Sequence, residues 1–329
     1  MTYKIYKIDN LTDRNREQEI FKIIDLNWKD DENIFLSFSF STTEILECGQ
    51  WIELYHVEDD ETVFYGVITK TNQQNKRELY TYSGYDLGFY FEKNVITIQF
   101  KNAEISQAIA DTCKKLNFQV GEIPPIGILV SKIYRQQTLK DILSDLYSIA
   151  VSKGFEDKYC FDCKKGKLNL LEEIYDDDLR GEIANIYSIK STDSIYEFEI
   201  SKSIEELKNR VELRCAGKKD KLGSILTVKE DEDSIKQYGL LQTIEEVDRA
   251  KGINVQKMAE KKLKTLTEES NTIKLCVLGN YKLHKNIIVP IKQDLINLDG
   301  NYKILNTVHS ITGTVERVSF NLSKQKEDL

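Results

Sequence analysis

No run of apolar residues approaches the roughly 18 that a membrane-spanning helix needs, so no transmembrane segment is expected. The first residues, Met1-Thr2-Tyr3-Lys4-Ile5-Tyr6-Lys7-Ile8-Asp9, alternate polar and apolar side chains and lack the continuous hydrophobic stretch of a signal peptide. Synthesis in the cytoplasm is the expectation. Cations are in the minority, with 46 Lys and Arg against 54 Asp and Glu and a net charge of -8. A protein that grips nucleic-acid phosphates needs clustered cations to displace counterions, so stable nucleic-acid binding is not expected.

Residues suited to chemistry are few. The three histidines, His56, His284 and His309, are far apart and none sits in an H-E-x-x-H pattern, so neither a metal nor a general base is assigned to them. No P-loop, dinucleotide fingerprint or Gly-x-Ser-x-Gly occurs. The six cysteines are scattered through a chain large enough to build its own core, which favours free thiols over a disulfide framework. Cys160-Phe161-Asp162-Cys163 has the spacing of a metal or redox pair. It falls in an expected strand, where residues three apart point to opposite faces, and no second pair lies nearby to complete four zinc ligands. The carboxylate groups Asp59-Asp60, Glu172-Glu173 and Asp176-Asp177-Asp178 could in principle serve glycoside hydrolysis, but they fall in charged turns without a flanking aromatic groove. The short basic runs Lys218-Lys219-Asp220-Lys221 and Lys261-Lys262 read as solvated faces. No catalytic, cofactor-binding or metal-binding residue is therefore singled out, and no cofactor is expected.

What is present is β-rich sequence. At 329 residues the chain predicts two or three domains, with 40% hydrophobic residues, 17 Tyr and 13 Phe favouring strands. Residues 1–96 read as a β-barrel-like domain: Thr2 to Ile8 alternates, Ile34, Leu36, Phe38 and Phe40 share one face, and Gln50 to Tyr55 is a further strand. Thr62 to Thr69 and Glu78 to Ser83 make a hairpin with a solvated tip over Asn72 to Arg77. Gly66 inside its first strand marks a bulge or a close backbone approach. The polar stretch Asp9 to Glu19 reads as a loop or a mobile insertion.

Residues 97–190 read as a small α/β domain. Ile105, Ala108, Ile109, Thr112 and Cys113 recur at helical spacing, and a second helix opens at Thr138 with Asp141 in a relative of the capping box. A hairpin of Lys158–Phe161 against Lys167–Leu171 follows. Residues 191–329 read as a second β domain: a strand at Tyr196–Ile200, a short helix capped by Ser203, a strand at Arg210–Cys215 and an inserted helix over about 254–268. Four closing strands follow, with Gly300 and Gly313 at turns. The fold class is thus α+β and multidomain, two β-barrel-like domains flanking a small α/β one.

Several stretches occur in a telling order: Tyr65-Gly66-Val67-Ile68, Tyr82-Ser83-Gly84-Tyr85-Asp86, Leu87 to Asn94, Thr138-Leu139-Lys140-Asp141-Ile142-Leu143, Asn209-Arg210-Val211 and Gln237-Tyr238-Gly239-Leu240-Leu241-Gln242. In that order they resemble the baseplate hub proteins of contractile phage tails and R-type bacteriocins, of the XkdQ/YqbQ type. The resemblance implies two tail-tube-type β domains per subunit and a homotrimer that adapts the sixfold tail tube to the threefold central spike. It implies as partners further copies of the chain, a tail tube protein or tube initiator, the spike and other baseplate proteins. It also implies assembly in the bacterial cytoplasm into a virion tail or an extracellular bacteriocin particle, and no enzymatic activity. Two rivals stand beside this reading, a hub with embedded peptidoglycan hydrolase activity and a peripheral module that binds the cell surface.

Overall fold

The computed structural model describes residues 2–31, 35–74, 78–156, 158–172, 195–215, 223–247, 255–267, 270–279, 281–293, 298–313 and 315–324. The runs Asp176-Asp177-Asp178 and Lys218-Lys219-Asp220-Lys221, and Ile34, lie outside these residues. Seven strands come first: β1 (Tyr3–Ile8), β2 (Arg16–Ile20), β3 (Ile24–Asp30), β4 (Leu36–Thr42), β5 (Trp51–His56), β6 (Glu61–Gln74) and β7 (Leu79–Tyr85). Then come α1 (Gly88–Lys93), β8 (Val95–Glu104), α2 (Ile105–Lys114), β9 (Leu129–Thr138), α3 (Leu139–Ser152), β10 (Tyr159–Asp162) and β11 (Asn169–Glu172). They are followed by β12 (Ile195–Ser203), β13 (Arg210–Cys215), β14 (Ile225–Glu230), α4 (Glu232–Tyr238), β15 (Gln242–Val247) and α5 (Val255–Leu266). The chain ends with β16 (Ser270–Leu278), β17 (Ile288–Gln293), β18 (Leu298–Thr312) and β19 (Val315–Lys324).

These elements form two compact units, one of Met1–Phe198 with Lys274–Leu329 and one of Glu199–Ile273. The units do not coincide with a division at 96 and 190. The reason lies in strand pairing: β18 pairs antiparallel with β3, Thr307 opposite Asp30 and His309 opposite Trp28, so the last strands extend the sheet that the first strands begin. From β19 onward the order of this 12-stranded sheet runs β19-β18-β3-β4-β7-β6-β5-β1-β2, with β17 added on β18. This is an open path. Among the described residues no sheet closes into a barrel, which corrects the barrel-like expectation.

Alternation builds the core of this sheet. Leu36, Phe38 and Phe40 point inward from β4 as their spacing predicts and meet Tyr3, Ile5, Trp28, Leu54, Phe64 and Tyr82. Burying such side chains contributes roughly 1.5–3 kcal/mol each, which makes this face the main source of the sheet's stability. A second core in the same unit lies where α2 and α3 cover the β8–β9 pair: Ile105, Ala108, Ile109 and Cys113 of α2 pack with Leu139, Ile142, Leu143 and Leu146 of α3 and with Ile96, Phe100, Val130 and Tyr134 of the strands. In the smaller unit β13 lies between antiparallel β14 and parallel β15. Val211, Leu213, Val247 and Ala259 form its core, the last contributed by α5.

Three local expectations change. Arg16–Ile20 is a strand paired with β1, because Asp9 ties its loop by accepting from Asn10 N–H and Asn15 N–H and so returns the chain beside β1. Ser203 caps a turn in place of a helix, accepting from Glu205 N–H at 3.1 Å, since the few residues before β13 are too short to nucleate helix. Gly300 lies within β18 opposite Ile291, and only Gly313 sits at the β18–β19 turn.

Candidate functional site

Elementary sterics assign a part to each of the ordered stretches. In β6 and β7 the chain runs against the Phe38 ring: a Cβ on Gly66 would lie 2.3 Å from Phe38 Cε1, and one on Gly84 would lie 1.9 Å from the Val67 carbonyl oxygen and 2.7 Å from Phe38 Cζ. Only glycine lets two strands approach a ring so closely, so Gly66 marks a close approach and the bulge lies further on, between Ile68 and Lys70. Just past β7, Asp86 is buried; its Oδ1 accepts from Gly88 N–H at 2.9 Å and its own N–H donates to Leu36 O at 3.0 Å. Burial, reinforced by the nearby Asp162 and Asp30 carboxylates, pushes the Asp86 carboxyl up to about 8 against the pull of the Leu36 and Gly88 backbone groups on it, so it is chiefly protonated at neutral pH.

The later stretches are also held by single side chains. Thr138 accepts from Asp141 N–H at 3.1 Å and caps α3. In the smaller unit Asn209 is fully buried. Its Nδ2 donates to Gly239 O at 2.7 Å and its Oδ1 accepts from Leu241 N–H at 2.7 Å, while its backbone N–H donates to Leu241 O at 2.9 Å. Asn209-Arg210-Val211 and Gln237 to Gln242, far apart in sequence, therefore meet through one amide.

Charge gathers at one place in the larger unit. Asp30 at the end of β3 accepts from Lys164 at 2.8 Å and pairs with Lys285 at 3.0 Å, Lys164 also pairs with Asp162 at 3.2 Å, and Lys285 donates to Asp31 O at 2.8 Å. Burial alone would raise Asp30, but the Lys164 and Lys285 ammonium groups override it and hold the carboxyl well below its usual range. Lys164 is correspondingly held above the usual lysine value, because Asp30 and Asp162 outweigh its own burial. His284 donates from Nδ1 to the Lys285 carbonyl at 2.9 Å, and burial with Lys164 nearby lowers it to about 4. Two lysines thus face two aspartates, with Asp86 and His284 neutral. The arrangement fastens β3, the β10–β11 turn and residues 281–287 together, and Tyr65 N–H adds a bond to Lys164 O at 2.8 Å.

The residue types weighed in the sequence are spread around this clamp. Asp162 belongs to it. Cys163 is buried and its thiol pushed far up by burial, and Cys160 is raised to about 11 for the same reason, which leaves both poor nucleophiles near neutrality. His56 stacks on Tyr281 at 4.3 Å, Tyr281 donates to Asp59 at 2.7 Å, and His309 stacks on Trp28 at 4.4 Å while its Nε2 donates to Leu283 O. The three histidines serve separate contacts. Asp30, Lys164 and Lys285 carried no signal in the sequence, since each sits in an ordinary polar context and only the fold brings them together.

Residues 26–323 match the model of the YQBQ-like family. The chain belongs to the YQBQ-like family. This agrees with the resemblance drawn from the ordered stretches, whose residues serve as packing glycines, caps and the Asn209 staple. No curated protein sequence matches the chain. Among solved structures, this YQBQ-like chain is similar to the prophage MuSo2 43 kDa tail protein of Shewanella oneidensis, with 14% identity, a TM-score of 0.71 and 98% of each chain covered. It is also similar to the tail protein from Neisseria meningitidis MC58, at 15% identity and a TM-score of 0.68 over 99% of this chain and 97% of that one. The Escherichia coli c3393 protein, a component of the type VI secretion system with structural similarity to T4 bacteriophage tail proteins gp27 and gp5, follows at 8% identity and a TM-score of 0.52, covering 93% of this chain and 74% of its own. The fold is that of phage tail proteins. No helix of the described residues is long and apolar enough to cross a membrane.

Proposed function

We propose that this YQBQ-like chain is the structural hub of a contractile phage tail or R-type bacteriocin baseplate. As a homotrimer it joins the sixfold tail tube to the threefold central spike, and it is not an enzyme. The observation that carries this reading is the likeness to the Shewanella tail protein over 98% of both chains. The similarity of the Escherichia coli relative to the T4 bacteriophage tail proteins gp27 and gp5 supports a structural place in a tail. Within this proposal, strands from 1–96 and 191–329 supply two tail-tube-type β domains, and 97–190 supplies the α/β domain between them. Partners are further copies of the chain, a tube protein or tube initiator, the spike and other baseplate proteins. The place of work is the baseplate of a virion or of an extracellular bacteriocin, after assembly in the bacterial cytoplasm.

Light scattering on the purified chain, alone and mixed with the spike protein of the same particle, tests the reading. With a subunit of 38.2 kDa, a trimer or a three-to-three complex with the spike is the expected result. A persistent monomer that binds neither tube nor spike protein overturns the hub assignment in favour of a peripheral cell-surface module. Clearing of a peptidoglycan zymogram by the pure chain overturns the non-enzymatic part.

A further inference from the structure

A cavity of about 750 Å³ opens beside the ionic clamp, and its lining is chemically one-sided. Five cationic side chains face three carboxylates there. All three carboxylates are already engaged: Asp30 by Lys164 and Lys285, Asp162 by Lys164, and Glu61 by Lys165 and the Tyr281 hydroxyl. Arg14 is the counter-case. Its guanidinium donates only to neutral acceptors, Leu11 O at 2.8 Å, Gln119 Oε1 at 3.2 Å and Gly166 O at 3.2 Å, and lies over the Tyr65 ring at 5.1 Å. Among the described residues no carboxylate meets it.

The remaining wall is aromatic and apolar. Trp28, stacked on His309, and Tyr281 face Val63, Leu36 and Leu283. Set into this wall is Thr307, fully buried, whose hydroxyl has no hydrogen-bond partner. A buried hydroxyl without a partner costs free energy that a bound polar atom would recover. The volume lies within the range of small-ligand sites, which combine apolar walls with a few placed polar groups.

We infer that this cavity is a binding site for an anion carried on an aromatic or apolar body, with Arg14 supplying the charge and the Thr307 hydroxyl a hydrogen bond. A free aromatic acid and an acidic, aromatic peptide segment present the same chemistry. The site is independent of the hub reading and would survive its failure.

Isothermal titration calorimetry of the full chain with 2-naphthoate tests it. The expected result is saturable binding at one site that weakens about tenfold in Arg14→Gln and in Thr307→Val, and about tenfold for the neutral isostere 2-naphthamide. Because the Thr307 hydroxyl bonds to nothing, Thr307→Val keeps or raises the melting temperature, so its loss of binding is not a loss of folding. Phe21→Ser, at an exposed position away from the cavity, leaves binding unchanged. Displacement of the naphthoate by the peptide acetyl-Asp-Tyr-Asp-amide assigns the site to a peptide segment, and failure to displace assigns it to a free acid. Absence of saturation, equal binding of the neutral amide, or wild-type affinity in folded Arg14→Gln and Thr307→Val overturns the inference.

Discussion

The two units fasten their distant segments by opposite means. The larger uses buried ions, Asp30 and Asp162 against Lys164 and Lys285, and the smaller uses one neutral amide, Asn209. A buried ion pair must first overcome the desolvation of each charge, so its net contribution is modest while the loss of one partner is severe. An amide with its donor and acceptor both bonded avoids that cost and is indifferent to pH. The lesson is that equal tightness in the structure hides unequal sensitivity.

Removing one ion should have the largest effect. Lys164→Met leaves Asp30 and Asp162 short of a buried partner and is expected to destabilise by about 3–5 kcal/mol, read as the midpoint of denaturant unfolding. If the loss is under about 1 kcal/mol, the clamp is no more than a surface pair and the contrast with Asn209 disappears. Asp86→Asn should act in the other direction. With its folded value raised to about 8, Asp86 contributes stability that is whole below the ordinary carboxylate value and is lost as pH rises towards 8. The substitution should therefore be nearly neutral at pH 4 and stabilise by on the order of 2–4 kcal/mol near pH 8. A gain that does not grow with pH would contradict it.

Asn209→Ala removes a donor and an acceptor from buried backbone partners and should cost about 2–3 kcal/mol. The cost should be the same at pH 5 and pH 8, unlike the gain from Asp86→Asn, which grows over that range. Thr138→Ala, a neutral cap within the larger unit, should cost about 1 kcal/mol with no pH dependence. It asks whether the contrast belongs to the units or to the chemistry.

The clamp itself is expected to be insensitive between about pH 4 and pH 10. Asp30 is depressed, so its contribution is lost only as pH falls through its low folded value, and Lys164 is raised, so its contribution is lost only on the alkaline side. Within that window the slope falls to Asp86 and to His284. Lowered to about 4, His284 contributes stability that is present above the ordinary histidine value and lost as pH falls from there towards 4. Stability curves of wild type and Asp86→Asn should differ on the alkaline side of this window and coincide near its acid end.

Periodicity made β1, β4 and β5 legible, because side chains such as Leu36, Phe38 and Phe40 alternate, and it made α2, α3 and α5 legible through their apolar stripes. It missed α1 and α4. Each is a short helix of 6 or 7 residues, α1 within a run of aromatics and α4 within a run of charge, and at that length no repeat of the stripe can be counted. The pairing of β18 with β3 was invisible for another reason: a strand records which face is apolar but not which strand lies beside it. The ordered stretches of the family were readable as a pattern, yet their physical content, glycines against Phe38, a protonated Asp86 and the Asn209 staple, needed coordinates. The ionic clamp left no trace in the sequence, because lysine and aspartate next to turns are what any solvated surface would show.

The pairing of Asp30 with Thr307 also sets a timetable. As the chain emerges during synthesis, residues 199–273 are contiguous and hold their own small core, so they are free to fold as soon as they are complete. The sheet that starts at Tyr3 must wait for β18. Until then β3 presents an unpaired edge, and the Trp28 and Leu26 side chains it carries have only part of their eventual cover. Strands exposed in this way are prone to pair with the wrong chain, so a pause or truncation before residue 298 should yield aggregation in place of a smaller folded product.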